Sequence, residues 1–191
     1  VDPEQEPAMP RLAHHRHALL LSLLAASSAL GALGLLPGPA AAQPLPVQTV
    51  RPTLAGHGVD GAAIDLLQLR GRVVLLFFWS TECPVCMDKL AELRRNLDGW
   101  RDKDFVIVAV SQDRSAADLR DYLRVLERMT PPRPQMKIVW RRDPAHRDSF
   151  GELPAHSPTS IILDRTGVVA KVHRGRVPPE AWDEIAELVL N

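Results

Sequence analysis

The chain has 191 residues, 46% of them apolar, which suits one globular domain with a packed core and some chain to spare. Its 23 basic and 23 acidic residues cancel. That balance argues against a nucleic-acid surface and against a strongly charged docking partner.

Residues 1–42 differ in kind from the rest. Met9–His17 carries Arg11, Arg16 and three histidines, Ala18–Leu36 is an uncharged Ala/Leu/Gly/Ser run, and Ala40-Ala41-Ala42 precedes Gln43. A basic segment, an apolar segment and a small-residue end make a secretory signal peptide. An apolar run of about 19 residues is also just long enough to cross a bilayer. An uncleaved N-terminal anchor is therefore the alternative, and the only expected tie to a membrane. Ser22, Ser27, Ser28, Gly31 and Gly34 within the run favour cleavage, and with no cysteine near the cleavage site a lipoprotein is excluded. The acidic Val1–Ala8 suits no signal, so the expected start is Met9. The expected organisation is a signal or anchor over 1–42 and an exported domain over 43–191, placed in the periplasm or another extracytoplasmic space.

Gln43–Pro52 is proline-rich and reads as a linker into a short strand near Val47–Val50. Thr53–Leu69, with Gly56, Gly58 and Gly61, reads as a loop or hairpin laid on the core. Val73–Trp79 is a continuous apolar run, as expected of a strand buried on both faces. Pro84 suits a first helical turn, where its missing N–H costs nothing. Leu90, Leu93, Leu97 and Trp100 then recur at helical spacing, and Gly99 marks the end.

Phe105–Val110 is a second apolar strand. Ser115 with Asp118 resembles a capping box that starts a helix carrying Leu119, Tyr122, Leu123, Leu126 and Met129 on one side. Pro131, Pro132 and Pro134 stop it. Lys137–Trp140 is a short strand, and Arg141–His156 a polar connection with one helical turn. Thr159–Leu163 and Val168–Val172 flank Asp164-Arg165-Thr166-Gly167, a hairpin signal. Pro178-Pro179-Glu180 opens a last helix with Trp182, Ile185, Leu188 and Val189 inward. The fold class is α/β, a central mixed sheet with helices on both faces.

Cys83 and Cys86 are the only cysteines. The exported domain is therefore no disulfide-stapled scaffold, and it is large enough to bury its own core, which leaves the pair free for chemistry. Cys83 sits where a strand runs into a helix, the place where α/β sheets form sites. Helix N-terminal amides favour a thiolate there. Cys83 is then the attacking thiol, and Cys86, one turn deeper and more shielded, the resolving one. Two structural alternatives stand beside this reading. An inert bridge over so short a loop adds little stability. A zinc site needs about four ligands, and His57, His146, His156 and His173 show no ligand spacing.

The stretch Trp79-Ser80-Thr81-Glu82-Cys83-Pro84-Val85-Cys86 resembles the Trp-x-x-x-Cys-x-x-Cys signature of thioredoxin-like proteins. The Gly71–Leu76 lead-in, the Leu163–Val169 hairpin and the exported frame resemble the TlpA/ResA/CcmG branch of bacterial extracytoplasmic thiol–disulfide oxidoreductases, over about residues 47–191. The resemblance implies a thioredoxin-like fold and the Cys83–Cys86 disulfide as redox centre without a further cofactor or metal. It also implies protein thiol or disulfide clients, a membrane electron donor and a role like that in cytochrome c maturation. It places Pro158, cis in the family and flanked by Ser157 and Thr159, opposite the cysteines with backbone open to a client, and Gly175 along the groove beside Trp79. Pro84 and Val85, between the cysteines, modulate the pair.

The chain departs from the family pattern at several positions. Glu82 replaces the usual Trp before the first cysteine, and a carboxylate there opposes thiolate formation unless it is solvated. Lys89 stands where many relatives carry Glu. It favours the thiolate if it lies near the pair. Phe77 occupies the place of the buried Asp of thioredoxins. The loop Gly151–Pro158 is long and adds His156, a candidate proton-transfer group. The competing function is a copper carrier using Cys83, Cys86 and Met87 or His156, since soft sulfur suits Cu(I). A peroxidase has only the Thr81-x-Cys83 fragment behind it.

Overall fold

The computed structural model describes residues 50–191. The signal or anchor, the Met9 start and the strand expected before Val50 lie outside that range. Val50 itself is in no strand, although its carbonyl accepts the Val169 amide at 3.1 Å. Eleven elements follow in chain order: β1 (Leu54–His57), β2 (Ala63–Asp65), β3 (Val73–Trp79), α1 (Pro84–Asn96), β4 (Phe105–Ser111), α2 (Ala116–Met129), β5 (Met136–Trp140), β6 (Arg147–Asp148), β7 (Thr159–Leu163), β8 (Val169–Arg174) and α3 (Ala181–Leu190). Short 3₁₀ turns at Leu66–Leu69 and Leu97–Trp100 follow β2 and α1.

The main sheet has the order β5-β4-β3-β7-β8. β3 pairs in parallel with β4, and β4 with β5, while β7 and β8 run antiparallel. The apolar run Val73–Trp79 is thus the central strand, and all seven of its residues are buried. Alternation along it makes two cores. Val73, Leu75, Phe77 and Trp79 face Leu90 and Leu93 of α1, Leu119, Leu123 and Leu126 of α2, and Ile185 and Val189 of α3. Val74, Leu76 and Phe78 face Leu54, Ile64, Leu66 and Phe150.

The mixed sheet is as expected, but the helical cover on both faces is corrected. All three helices join one core, and the other face is covered by a small antiparallel sheet, β2-β1-β6. Right-handed crossovers from β3 to β4 to β5 step in one direction across the sheet, which puts α1 and α2 on the same side. The Thr53–Leu69 stretch supplies the other cover as the β1–β2 hairpin and a 3₁₀ turn.

Two further expectations change. The 141–156 connection has no helical turn; it makes reverse turns and then β6, which pairs with β1. Met129 ends α2 with 71% of its surface exposed, because the packed stripe finishes at Leu126. Ser115 does cap α2, accepting the amides of Ala117 and Asp118 at 3.1 and 3.4 Å. Ser115→Ala is expected to cost about 1 kcal/mol, read as a lowered midpoint in urea unfolding; an unchanged midpoint would show the cap to be idle.

Leu90, Leu93 and Leu97 are fully buried, and each such side chain contributes about 1.5–3 kcal/mol. The helix start that carries the cysteines is therefore held in place by packing further down the helix.

Candidate redox site

β3 ends at Trp79, and a four-residue turn leads into α1. The Cys83 amide closes that turn on the Ser80 carbonyl at 3.3 Å. Cys83 is the N-cap of α1 in extended conformation (φ −115°, ψ 97°), with Pro84 at the first helical position. The Cys83 sulfur accepts the Cys86 amide at 3.2 Å, and the Cys83 carbonyl accepts the amides of Cys86 and Met87. The two cysteines form a disulfide, with Cα atoms 5.2 Å apart. The expected difference in shielding is absent: Cys83 is 1% exposed and Cys86 0%. What distinguishes the sulfurs is place on the helix. Only Cys83 stands at its amide-rich end.

The turn is held by residues that sequence reasoning did not single out. Asp113, two residues past β4, directs one carboxylate oxygen at both the amide and the hydroxyl of Thr81, each at 2.7 Å. Its other oxygen accepts the Ser111 hydroxyl at 2.6 Å, and its carbonyl accepts the Trp140 indole N–H at 2.8 Å. Ser111 and Asp113 are polar residues at the end of a strand next to the cysteine strand, and that position was the available signal.

The loop 151–158 crosses the ends of three neighbouring strands, and each strand sends one donor to it. Ser80 donates to the Ala155 carbonyl at 2.7 Å, Gln112 to Pro154 at 2.9 Å, and Arg141 to Gly151 at 2.6 Å. A hollow of about 360 Å³ lies between this strap and the strand ends, lined by Gln112, Arg141, Leu153 and Ala155 among others. Arg141 is fixed in turn by a two-point ion pair with Asp148, at 2.7 and 2.8 Å, and His146 reaches the same carboxylate at 2.8 Å. Burial alone would raise Asp148, but the hydrogen bonds from His146, Arg141 and the Phe150 amide outweigh it and hold the group well below the ordinary carboxylate range.

The AhpC/TSA family profile matches residues 47–172, more than half of the chain. The chain belongs to the AhpC/TSA family. Within it the chain is similar to the thiol–disulfide oxidoreductase ResA of Halalkalibacterium halodurans, 27% identical over 131 residues, covering 69% of this chain and 70% of that protein. It is also similar to peroxiredoxin Q of Triticum aestivum, 23% identical over 136 residues, covering 69% of this chain and 60% of that protein. Among solved structures, one described as the thiol:disulfide interchange protein DsbE of Chlorobium tepidum superposes with a TM-score of 0.57 at 26% identity, covering 74% of this chain and 95% of that one. Fold, family and cysteine pair together make the protein a thioredoxin-like thiol–disulfide oxidoreductase of the ResA/DsbE kind.

Thr159 pairs with Phe78 of β3, so the register carries Pro158 alongside Trp79. The buried Pro158 gives its carbonyl to the Gly175 amide at 2.8 Å, so that group is not left for a client to pair with. Gly175 has φ +83°, and a Cβ there would stand 4.0 Å from the Ser157 hydroxyl, so Ser157, Pro158 and Gly175 do come together. Trp79 is buried against Tyr122 (ring centroids 5.3 Å apart), and the Tyr122 hydroxyl donates to the Met87 carbonyl. Burial pushes Tyr122 up to about 12, so it stays a donor at any physiological pH.

Glu82 is 54% exposed in its side chain and faces the His156 ring at 3.9 Å, which sets His156 beside the residue preceding Cys83. Pro84 and Val85 are exposed at the helix start. Lys89 is neither surface-exposed nor free to serve the cysteines: it is buried, with its ammonium 2.9 Å from Glu92. Phe77 lies in the same core as both cysteines, so apolar packing occupies the place of a buried carboxylate. Among the described residues no group of three or more His, Cys, Asp or Glu could hold a metal.

Proposed function

We propose that the protein is an extracytoplasmic reductase of client disulfides that uses Cys83 as the attacking thiol and Cys86 as the resolving one. The observation that carries this reading is the Cys83 sulfur at the N-cap of α1, accepting the Cys86 amide and bonded to the Cys86 sulfur. In the reduced protein the same amides favour the Cys83 thiolate. That thiolate attacks a client disulfide, forms a Cys83–client bond and expels one client thiolate. Cys86 then attacks the Cys83 sulfur and expels the second, leaving the client as a dithiol and the Cys83–Cys86 disulfide behind. Two electrons move, and the pair needs no other cofactor. A membrane donor resets the pair by reducing this disulfide.

The exported setting rests on the signal-like residues 1–42 and on the resemblance to the TlpA/ResA/CcmG branch. That resemblance also suggests the reductive direction and a role in cytochrome c maturation. Among the described residues no helix is long and apolar enough to cross a membrane. Insulin reduction tests the reading. Wild type should precipitate insulin with dithiothreitol as reductant, and Cys83→Ser should fall to the uncatalysed rate; equal rates would sink the proposal. Hydrogen peroxide in place of insulin separates it from the peroxidase that the peroxiredoxin Q similarity suggests.

A further inference from the structure

We propose that Asp113 is the positioning residue of the redox turn, holding Thr81, and through it Cys83, in the geometry that closing the disulfide onto Cys86 requires. Asp113 is 3% exposed, and burying a carboxylate is unfavourable unless its oxygens are matched by donors. Here they are matched chiefly by the turn itself. One oxygen holds both polar groups of Thr81 that face it, and the other is steadied by Ser111, whose hydroxyl also accepts the Asp113 amide at 3.2 Å. The Trp140 indole N–H on the Asp113 carbonyl fixes the residue to the adjoining strand β5. Thr81 lies two residues before Cys83, inside the turn that the Cys83 amide closes on Ser80. The opposite side of that turn is pinned by the Ser80 hydroxyl on the strap. The cysteine turn is thus fastened to β4 by one carboxylate, which no local hydrogen bond of the turn replaces.

The inference rests on the reading of Cys83 and Cys86 as a redox pair. The disulfide of such a pair forms in proportion to the effective concentration of one thiol at the other, and that concentration depends on how firmly the turn is held. A loosened turn lowers it. The reaction to follow is protein dithiol plus glutathione disulfide going to protein disulfide plus two glutathione thiols. One S–S bond breaks, one forms, and both protons pass to glutathione.

The reduced protein is equilibrated in glutathione buffers, and its dithiol fraction is read by alkylation and mass. Asp113→Ala should shift the equilibrium constant about tenfold toward the dithiol while the circular dichroism spectrum stays that of wild type. Asp113→Asn, whose amide oxygen still accepts from Thr81, should stay within about threefold of wild type. Thr81→Val, which removes only the hydroxyl half of the clamp, should shift it about two- to threefold in the same direction as Asp113→Ala. A wild-type constant in folded Asp113→Ala overturns the proposal. Should that variant fail to fold, Thr81→Val decides alone. Loss of stability without a change in turn geometry would not produce the rescue by Asn. The measurement reads the cysteine pair without a client, so a wild type inactive on insulin would overturn the proposed function and leave this test standing.

Discussion

Cys86→Ala protein should accumulate as a mixed disulfide through Cys83. In the wild type the second step is intramolecular: Cys86 lies one turn into α1, fully buried, with its sulfur already bonded to that of Cys83 in the oxidised state. Removing it leaves only thiols from solution to release the client. They must reach a sulfur at a site that is 1% exposed when oxidised. Loss of an intramolecular nucleophile lowers the release rate by about 10³-fold or more. Mass spectrometry of the protein isolated after thiol blocking should find client peptide on Cys83. Cys83→Ala should trap nothing, because it lacks the thiol at the amide-rich helix end. Equal trapping through Cys86 would reverse the order of the two cysteines. The attached client is also the most informative identification available for this protein.

Asp148→Asn should destabilise the fold by about 2 kcal/mol at pH 7, since removing one partner of a part-buried, two-point ion pair leaves the guanidinium without its carboxylate. Asp148 accepts from Nε and Nη2 of Arg141, from the His146 ring and from the Phe150 amide. It thereby joins the end of β5 to β6 and so to the small sheet on the helix-free face. The same Arg141 holds the Gly151 carbonyl of the strap. Because the folded state holds Asp148 below its ordinary value, its contribution is present in full above the unfolded carboxylate pKa of about 4 and is lost as pH falls through the lowered folded value. The gap between variant and wild type should therefore be widest near neutrality, begin to narrow below about pH 4 and close only as pH falls through the lowered folded value. Urea unfolding at pH 7 and at pH 3 measures both. A gap that does not change with pH, or none at pH 7, would remove the ion pair from the account.

Much of the chain could be read without its structure where the physics is local. The strand Val73–Trp79 is recognisable because a seven-residue apolar run must be buried on both faces. α1 and α2 announce themselves through Pro84, Ser115 and apolar spacing that needs only a few neighbouring residues. The cysteine pair at a strand–helix junction is equally local, and so is the direction in which helix amides bias its chemistry. Reading failed where a long-range choice decides. Which face α2 covers depends on the order of β3, β4 and β5, and no single stretch encodes that order. The family resemblance makes Lys89 a candidate beside the cysteines, but its side chain turns to Glu92 instead.

The stretch Trp79–Cys86 by itself determined that this protein has one cysteine pair at a helix start, because the end of an apolar strand, the two cysteines and Pro84 all fall within eight residues. Only the tertiary structure decided what holds that dithiol. Thr81 meets Asp113 from 32 residues away, Ser80 meets Ala155 from 75, and Pro158 gives its carbonyl to Gly175. Such contacts exist because the parallel register of β3 with β4 and the antiparallel register of β3 with β7 bring those strand ends together. Strand register is a property of the assembled sheet.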